Sequence, residues 1–243
     1  MSARSKNFND KNSARDHVWS MMEEQKVAAF PFPIKGRIPN FKGASKAAAF
    51  AMEIPCLKKA KRIKVNPDSP QRALRKEALI RGMTVYMPSP RLRSGFLKLD
   101  PAVIDPADIA RAATAKGAAE LGETINVSEL PQMDVVVTGS VAVNLEGKRC
   151  GKGHGYGDIE YGILGDLGHE AVPIITTVHS LQVVGSFPSE DHDISLNYVV
   201  TPEEVFHCSD SLSKINGVRW DLVTEKDLEE MPVLRTLKSM QKT

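Results

Sequence analysis

The run MDVVVTG, Met133 to Gly139, constrains this chain more than any other stretch. Val135, Val136 and Val137 are consecutive β-branched residues with no polar alternation, the pattern of a strand covered on both faces in a parallel sheet. RIKV (62–65), TVYM (84–87), VPIITTV (172–178) and ISLNYVVT (194–201) are further β-rich runs. Helical patterns separate them. RALRKEALIRG (72–82) is stopped by Gly82, ADIARAATAKGAAEL (107–121) is opened by Asp105–Pro106, and IEYGILGDLG spans 159–168. Ahead of these, residues 13–30 read as a helix with Ser13 at its cap and Val18, Met21, Met22 and Val27 near helical spacing. A Pro/Gly-rich loop and an Ala-rich helix from about Ala44 follow. Strand–helix alternation predicts an α/β fold, helices on both faces of a mainly parallel sheet. One domain over residues 1–243 is expected, with a helical tail from about residue 224.

Charge is unevenly placed. Residues 1–100 hold 21 Lys and Arg against 8 Asp and Glu, and residues 101–243 hold 11 against 22. A basic first part implies an anionic ligand. The tract KKAKRIK (58–64) is compatible with nucleic acid, but it lacks interleaved aromatics for base stacking. Such a tract is more often a solvated face, so a small anionic molecule is the expected partner and nucleic acid is not. No apolar run approaches the ~18 residues of a membrane span, and the first 15 residues lack the apolar core of a secretory signal. Three widely spaced cysteines, Cys56, Cys150 and Cys208, fit a reducing compartment. The expectation is a soluble cytoplasmic protein, a monomer or weak homo-oligomer, with no membrane partner.

After MDVVVTG comes RCGKGHGYGDIEYG (149–162). In an open parallel sheet ligands collect at the carboxyl ends of the strands, where a loop enters a helix N-terminus. Glycines there turn backbone N–H groups toward an anion, and the helix end adds a favourable partial charge. Arg149 and Lys152 supply full charges for phosphate oxygens. Asp158 is suited to a hard cation such as Mg²⁺, which commonly bridges a carboxylate and nucleotide phosphates. The spacing is neither GxxxxGK[ST] nor GxGxxG, because the glycines are Gly151, Gly153 and Gly155.

With its flanks, GSVAVNLEGKRCGKGHGYGD resembles the signature of the 5-formyltetrahydrofolate cyclo-ligase family at Gly139, Ala142, Gly147, Arg149, Gly151, Gly153, Gly155, Tyr156 and Asp158. Downstream, Gln182, Pro188, His192 and Asp193 are similar to the family's pattern, and upstream Lys11 and Arg15 match its opening helix. The resemblance implies a three-layer α/β sandwich of the CoA-transferase type and an ATP- and Mg²⁺-dependent conversion of 5-formyltetrahydrofolate to 5,10-methenyltetrahydrofolate. It implies that Lys11, Arg15, Arg149, Gly151, Lys152, Gly153, His154, Gly155 and Tyr156 bind ATP and that Asp158 binds Mg²⁺. Lys152 and Tyr156 become the catalytic candidates, with Tyr156 at the junction of nucleotide and folate. The folate-side Glu of the family falls on Asp68, with Gln71 beside it in place of Thr. Three departures stand out: Gly157 replaces a tyrosine, Thr138 precedes Gly139 where the family has Pro, and Asn144 replaces an Asp.

Arg91 and Arg93, in the loop after TVYM, are placed to receive an anionic tail such as glutamate. His192–Asp193 are expected to shape a turn rather than to act as an acid/base pair, since strand neighbours point to opposite faces. His179, His207 and Cys208 have no recognisable metal spacing, and Trp19 and Trp220 are read as packing residues. Two alternatives accompany the cyclo-ligase reading. One is a nucleotide-binding paralogue with another substrate outside folate metabolism. The other is a nucleic-acid-binding protein using the basic N-terminal part.

Overall fold

In the computed structural model, which describes residues 6–153 and 155–240, Val135–Val137 form the strand about which the molecule is arranged. The chain enters through α1 (Lys11–Glu24), a short antiparallel pair β1 (Ala28–Ala29) and β2 (Asn40–Phe41), α2 (Ala44–Ala51) and α3 (Pro55–Lys59). It then alternates: β3 (Arg62–Val65), α4 (Arg72–Ile80), β4 (Thr84–Pro88), β5 (Phe96–Leu99), α5 (Ile109–Ala112), α6 (Ala115–Leu121), β6 (Glu123–Ile125) and β7 (Val135–Val137). A hairpin of β8 (Ala142–Val143) and β9 (Arg149–Cys150) leads to α7 (Tyr156–Asp166). The last elements are β10 (Ile174–Thr177), β11 (Tyr198–Val200), β12 (Val205–His207), α8 (Glu225–Glu230) and α9 (Val233–Met240).

Eight strands form one sheet in the order β12-β11-β10-β7-β3-β4-β5-β6. The five from β11 to β4 are parallel, and both edges are antiparallel. Period-two alternation sorts the strand residues between two cores. Val135 and Val137 join Ile63, Val65, Val85 and residues of α1, α2 and α4. Val136 joins Ile174, Val199, Tyr161 and Leu164 of α7, and the tail residues Leu228, Leu234 and Leu237. Helices therefore cover both faces, as the patterns predicted. The helical tail packs on the α7 side.

Several local expectations are corrected. The first helix is capped by Asp10, whose carboxylate accepts from Ser13 N, so Ser13 lies inside the first turn. That helix also ends at Glu24, and Ala28–Ala29 pair with β2. The stretch 107–121 breaks at Ala113, where Thr114 accepts from Gly117 N and starts α6. Strands β5 and β6 lacked a recognised pattern. The tract 58–64 is no uniform solvated face, because Ile63 and Lys64 are buried. No helix among the described residues is long and apolar enough to cross a membrane.

Candidate active site

The strand order reverses between β3 and β7: after β3 the chain builds outward to β6, then returns to place β7 on the other side of β3. A crevice at the carboxyl ends of such a strand pair is the usual ligand position in open α/β sheets. Asn66, Pro67 and Asp68 leave β3 there, and Thr138, Gly139 and Ser140 leave β7. A cavity of about 560 Å³ opens at this point. It is lined by Lys11, Arg15, Asp68, Arg149, Gly151, Lys152, Gly153, Gly155, Tyr156 and Asp158, together with Arg91 and His192. Of the candidate residues, Arg93 does not line it, and His154 lies outside the described residues.

The glycine segment is not a free loop. Its first residue, Arg149, sits on β9, paired with Val143, and is only 6% exposed. Asn144 closes the hairpin by accepting from the backbone N–H groups of Glu146 and Lys148, which gives the Asp-to-Asn departure a turn-making role. Gln182 braces the approach to the hairpin, donating to the carbonyls of Ser140 and Val141. Gly155 is the residue before α7, at φ +68°, a conformation that an L side chain rarely adopts. The helix N-terminus is thereby aimed at the cavity.

Besides Arg91, four cations reach this cavity, two from α1 and two from the glycine segment. Lys11 pairs with Asp193 at 2.6 Å. Lys152 pairs with Asp68 at 3.2 Å. Arg149 pairs with Asp158 at 3.1 Å and donates to the Gly139 carbonyl, while its Nε is buried with no partner. Arg15 donates to the Gly151 carbonyl at 2.6 Å and to Asn12, so it grips the glycine turn from α1. An ideal Cβ on Gly157 would lie 3.2 Å from the Arg149 guanidinium. The Arg149 guanidinium thus crowds the position where the resembled family has a ring.

The carboxylates are equally well held. Asp158 accepts from both Arg149 and the Ile194 N–H on the same oxygen, Oδ1. Asp193 accepts from Glu190 N, Ser189 and Lys11, and so does shape its turn. Burial raises the Asp193 carboxyl pKa, but the Glu190 N–H and the Lys11 ammonium outweigh it and hold it below the ordinary value. His192 turns to Glu190 at 3.2 Å. Tyr156 donates to Glu230 of α8 at 3.0 Å, and its pKa is raised, first by burial and then by that carboxylate. Met231, completely buried, also lines the cavity, so the tail forms part of its wall. Among the described residues no three His, Cys, Asp or Glu side chains cluster as a metal site.

Two groups were missed by sequence reasoning. Arg75, 1% exposed, donates to the carbonyls of Asn66, Pro67, Asp68 and Ala113 and holds the loop that carries Asp68. Burial pushes its pKa down to about 10, so it stays charged at neutral pH. Gln71 does not line the cavity. It is fully buried and donates to Thr177. The second missed group lies at the cavity margin, where Lys64 and Glu160 form a buried ion pair shared with Asn66. A lysine in a central strand was the available signal, since a position covered on both faces obliges it to find a carboxylate.

The model of the 5-formyltetrahydrofolate cyclo-ligase family matches residues 7–202. The methenyltetrahydrofolate synthase domain-containing protein of Mus musculus is 40% identical over 239 residues, covering 96% of this chain and 64% of its own length. Its Homo sapiens counterpart is 36% identical over 238 residues, covering 95% and 62%. The chain therefore spans less than two thirds of the length of these curated relatives. The NMR structure of Aquifex aeolicus 5,10-methenyltetrahydrofolate synthetase superposes with a TM-score of 0.51 at 20% identity, covering 84% of this chain and 95% of that one, a likeness of fold.

Proposed function

This chain belongs to the 5-formyltetrahydrofolate cyclo-ligase family, and we propose that it converts 5-formyltetrahydrofolate to 5,10-methenyltetrahydrofolate with MgATP. The observation that carries this reading is the convergence of Lys11, Arg15, Arg149 and Lys152 with the α7 N-terminus on one cavity at the strand switch point. The buried, unpartnered Nε of Arg149 adds a charged donor still lacking an acceptor. Both features suit a polyphosphate.

When bound, MgATP supplies the phosphoryl group that makes the formyl oxygen a leaving group, so that N10 can close the ring and phosphate departs. The protein's part in such chemistry is positioning and charge neutralisation rather than nucleophilic attack. Lys152 and Arg149 would hold phosphate oxygens, Arg15 keeps the glycine turn in place through Gly151, and Tyr156 would stand at the junction of nucleotide and folate. Asp158, with Oδ1 already fixed by two donors, would have its other carboxylate oxygen to offer to Mg²⁺. A donor set of one or two carboxylates fits that ion, which usually keeps several waters and takes the rest of its shell from phosphates.

A second reading, a nucleotide-binding paralogue with a different anionic substrate, is favoured by one observation. Asp68, the folate-side carboxylate, is engaged with Lys152. Incubation with ATP, Mg²⁺ and 5-formyltetrahydrofolate, followed by the absorbance of the methenyl product, separates the two. ATP binding without product would sink the cyclo-ligase reading and promote the paralogue.

A further inference from the structure

Lys64 lies between Ile63 and Val65, which face the core shared with α1, α2 and α4. Alternation turns Lys64 to the opposite face, beneath α7, where it is 1% exposed. Its ammonium donates to Asn66 Oδ1 at 2.9 Å and to Glu160 Oε2, and Asn66 Nδ2 donates to the same Oε2 at 3.1 Å. Glu160 is thus fixed through one oxygen. Its Oε1 takes no hydrogen bond from any described residue and is not among the buried atoms lacking a partner. Glu160 and Asn66 both line the cavity, so Oε1 opens into it.

Stability does not explain this arrangement. Desolvating two charges offsets most of their attraction, and apolar replacement of a buried pair is often neutral or stabilising. The other cavity carboxylates that pair with cations, Asp68, Asp158 and Asp193, face Lys152, Arg149 and Lys11, the groups assigned to phosphate. Glu160 faces a lysine that does not line the cavity at all. The same cavity is also lined by the apolar residues Ile38, Pro67, Pro88 and Leu92. A rigid acceptor in a cavity with such apolar lining suits a ring that carries N–H donors.

The geometry points to Glu160 Oε1 as the acceptor for the N–H edge of the substrate's reduced pteridine ring, with Lys64 and Asn66 as positioning residues. This deepens the proposed function and rests on a folate-type substrate. An adenine amino group has the same donor chemistry, and the experiment separates the two sources. Binding of 6-hydroxymethylpterin, 5-formyltetrahydrofolate and ATP to wild type and Glu160→Gln is measured by calorimetry, with thermal melting alongside. Loss of a charge-assisted hydrogen bond is expected to weaken both pterin compounds roughly 10- to 150-fold and to leave ATP unchanged. In case Glu160→Gln folds poorly, the double variant Lys64→Met with Glu160→Met removes both buried charges. It is expected to fold, keep ATP and lose the pterins. Weakened ATP with unchanged pterin binding overturns the assignment, as does a lowered melting temperature with no change in any ligand. Glu160-dependent pterin binding without methenyl product would sink the cyclo-ligase reading and leave this inference standing. Product formation with the KM for 5-formyltetrahydrofolate unmoved in Glu160→Gln would do the reverse. Wild type that binds neither pterin compound overturns it outright.

Discussion

Lys152 and Asp68 make one ion pair, and the two halves of that pair should affect nucleotide binding with opposite sign. Their Nζ and Oδ1 atoms are 3.2 Å apart, with side chains 34% and 16% exposed. At that distance the Coulomb attraction is ~1.3 kcal/mol in bulk water and ~5 kcal/mol at an effective dielectric constant of 20. Side-chain ordering and residual solvation reduce the net worth of a partly exposed pair to about 1 kcal/mol or less. A phosphate recruiting Lys152 must draw it away from Asp68. Lys152→Ala removes the phosphate contact itself, about 1.5–3 kcal/mol, and should weaken ATP binding roughly 10- to 150-fold. Asp68→Asn releases the lysine and should strengthen ATP binding by up to ~1 kcal/mol, about fivefold. The two effects share a partner, so the double variant should depart from additivity and resemble Lys152→Ala. Calorimetry on the four proteins at constant Mg²⁺ and ionic strength reads all three quantities. Weaker ATP binding in Asp68→Asn would refute the reasoning, because Asp68 would then be assisting the phosphate site rather than restraining its lysine.

Asp158→Asn should impair Mg²⁺-dependent turnover more than stability, since an amide is a poorer ligand for a hard cation. Wild-type Mg²⁺ dependence would reduce Asp158 to an anchor for Arg149 and Ile194. Asp193, its folded pKa below the 3.8 reference, stabilises the fold above that value and ceases to do so as pH falls through the lower folded one. The difference in melting temperature between wild type and Asp193→Asn should therefore shrink only below pH 3.8, and a constant difference down to pH 2 would count against it. Arg75→Met leaves carbonyls of the 66–68 loop without a donor, at about 1–3 kcal/mol for each that stays buried. Denaturant unfolding should show the loss, and an unchanged midpoint would mean that the loop stands by itself. Gly157→Tyr with Asp68→Glu should raise 5-formyltetrahydrofolate turnover only if the Arg149 guanidinium, 3.2 Å from the new Cβ, can withdraw. Kinetics of the single and double variants would show whether it does.

The parallel sheet was legible because burial on both faces leaves a chemical trace: Val135 to Val137 have no polar alternation to betray an exposed side. The antiparallel strands β5 and β6 left no such trace. FLKL and ETI are short, and Thr124 and Glu123 are exposed, so their pairing rests on neighbours rather than on their own pattern. The glycine segment was legible as residue types, and its placement after β7 followed from the sheet. That Arg149 is a strand residue with a buried guanidinium was not, because a two-residue hairpin strand has no period to detect. Partners far apart in sequence were equally hidden. Lys11 meets Asp193 across 182 positions and Tyr156 meets Glu230 across 74. Lys64 is the instructive case. Its neighbours in KKAKRIK read as surface charge, whereas its place in a central strand beneath α7 buries it.

The pairing of cations with carboxylates bears on what kind of anion can enter. Lys11, Arg149 and Lys152 each hold a carboxylate in the cleft, so these three do not present bare positive charge there. An incoming polyphosphate takes Lys11 and Lys152 from Asp193 and Asp68 and shares Arg149 with Asp158. A naked anion would leave those carboxylates facing its own negative charge, an arrangement that like-charge repulsion opposes in a partly buried site. An anion that arrives with a divalent cation avoids this, because the released carboxylates gain a partner as the lysines and arginine gain theirs. On the proposed function, nucleotide affinity and Mg²⁺ concentration should then be coupled through residues that do not all touch the metal. Removal of Mg²⁺ should cost more affinity in wild type than in Asp68→Asn, where one of the stranded charges has already been taken away.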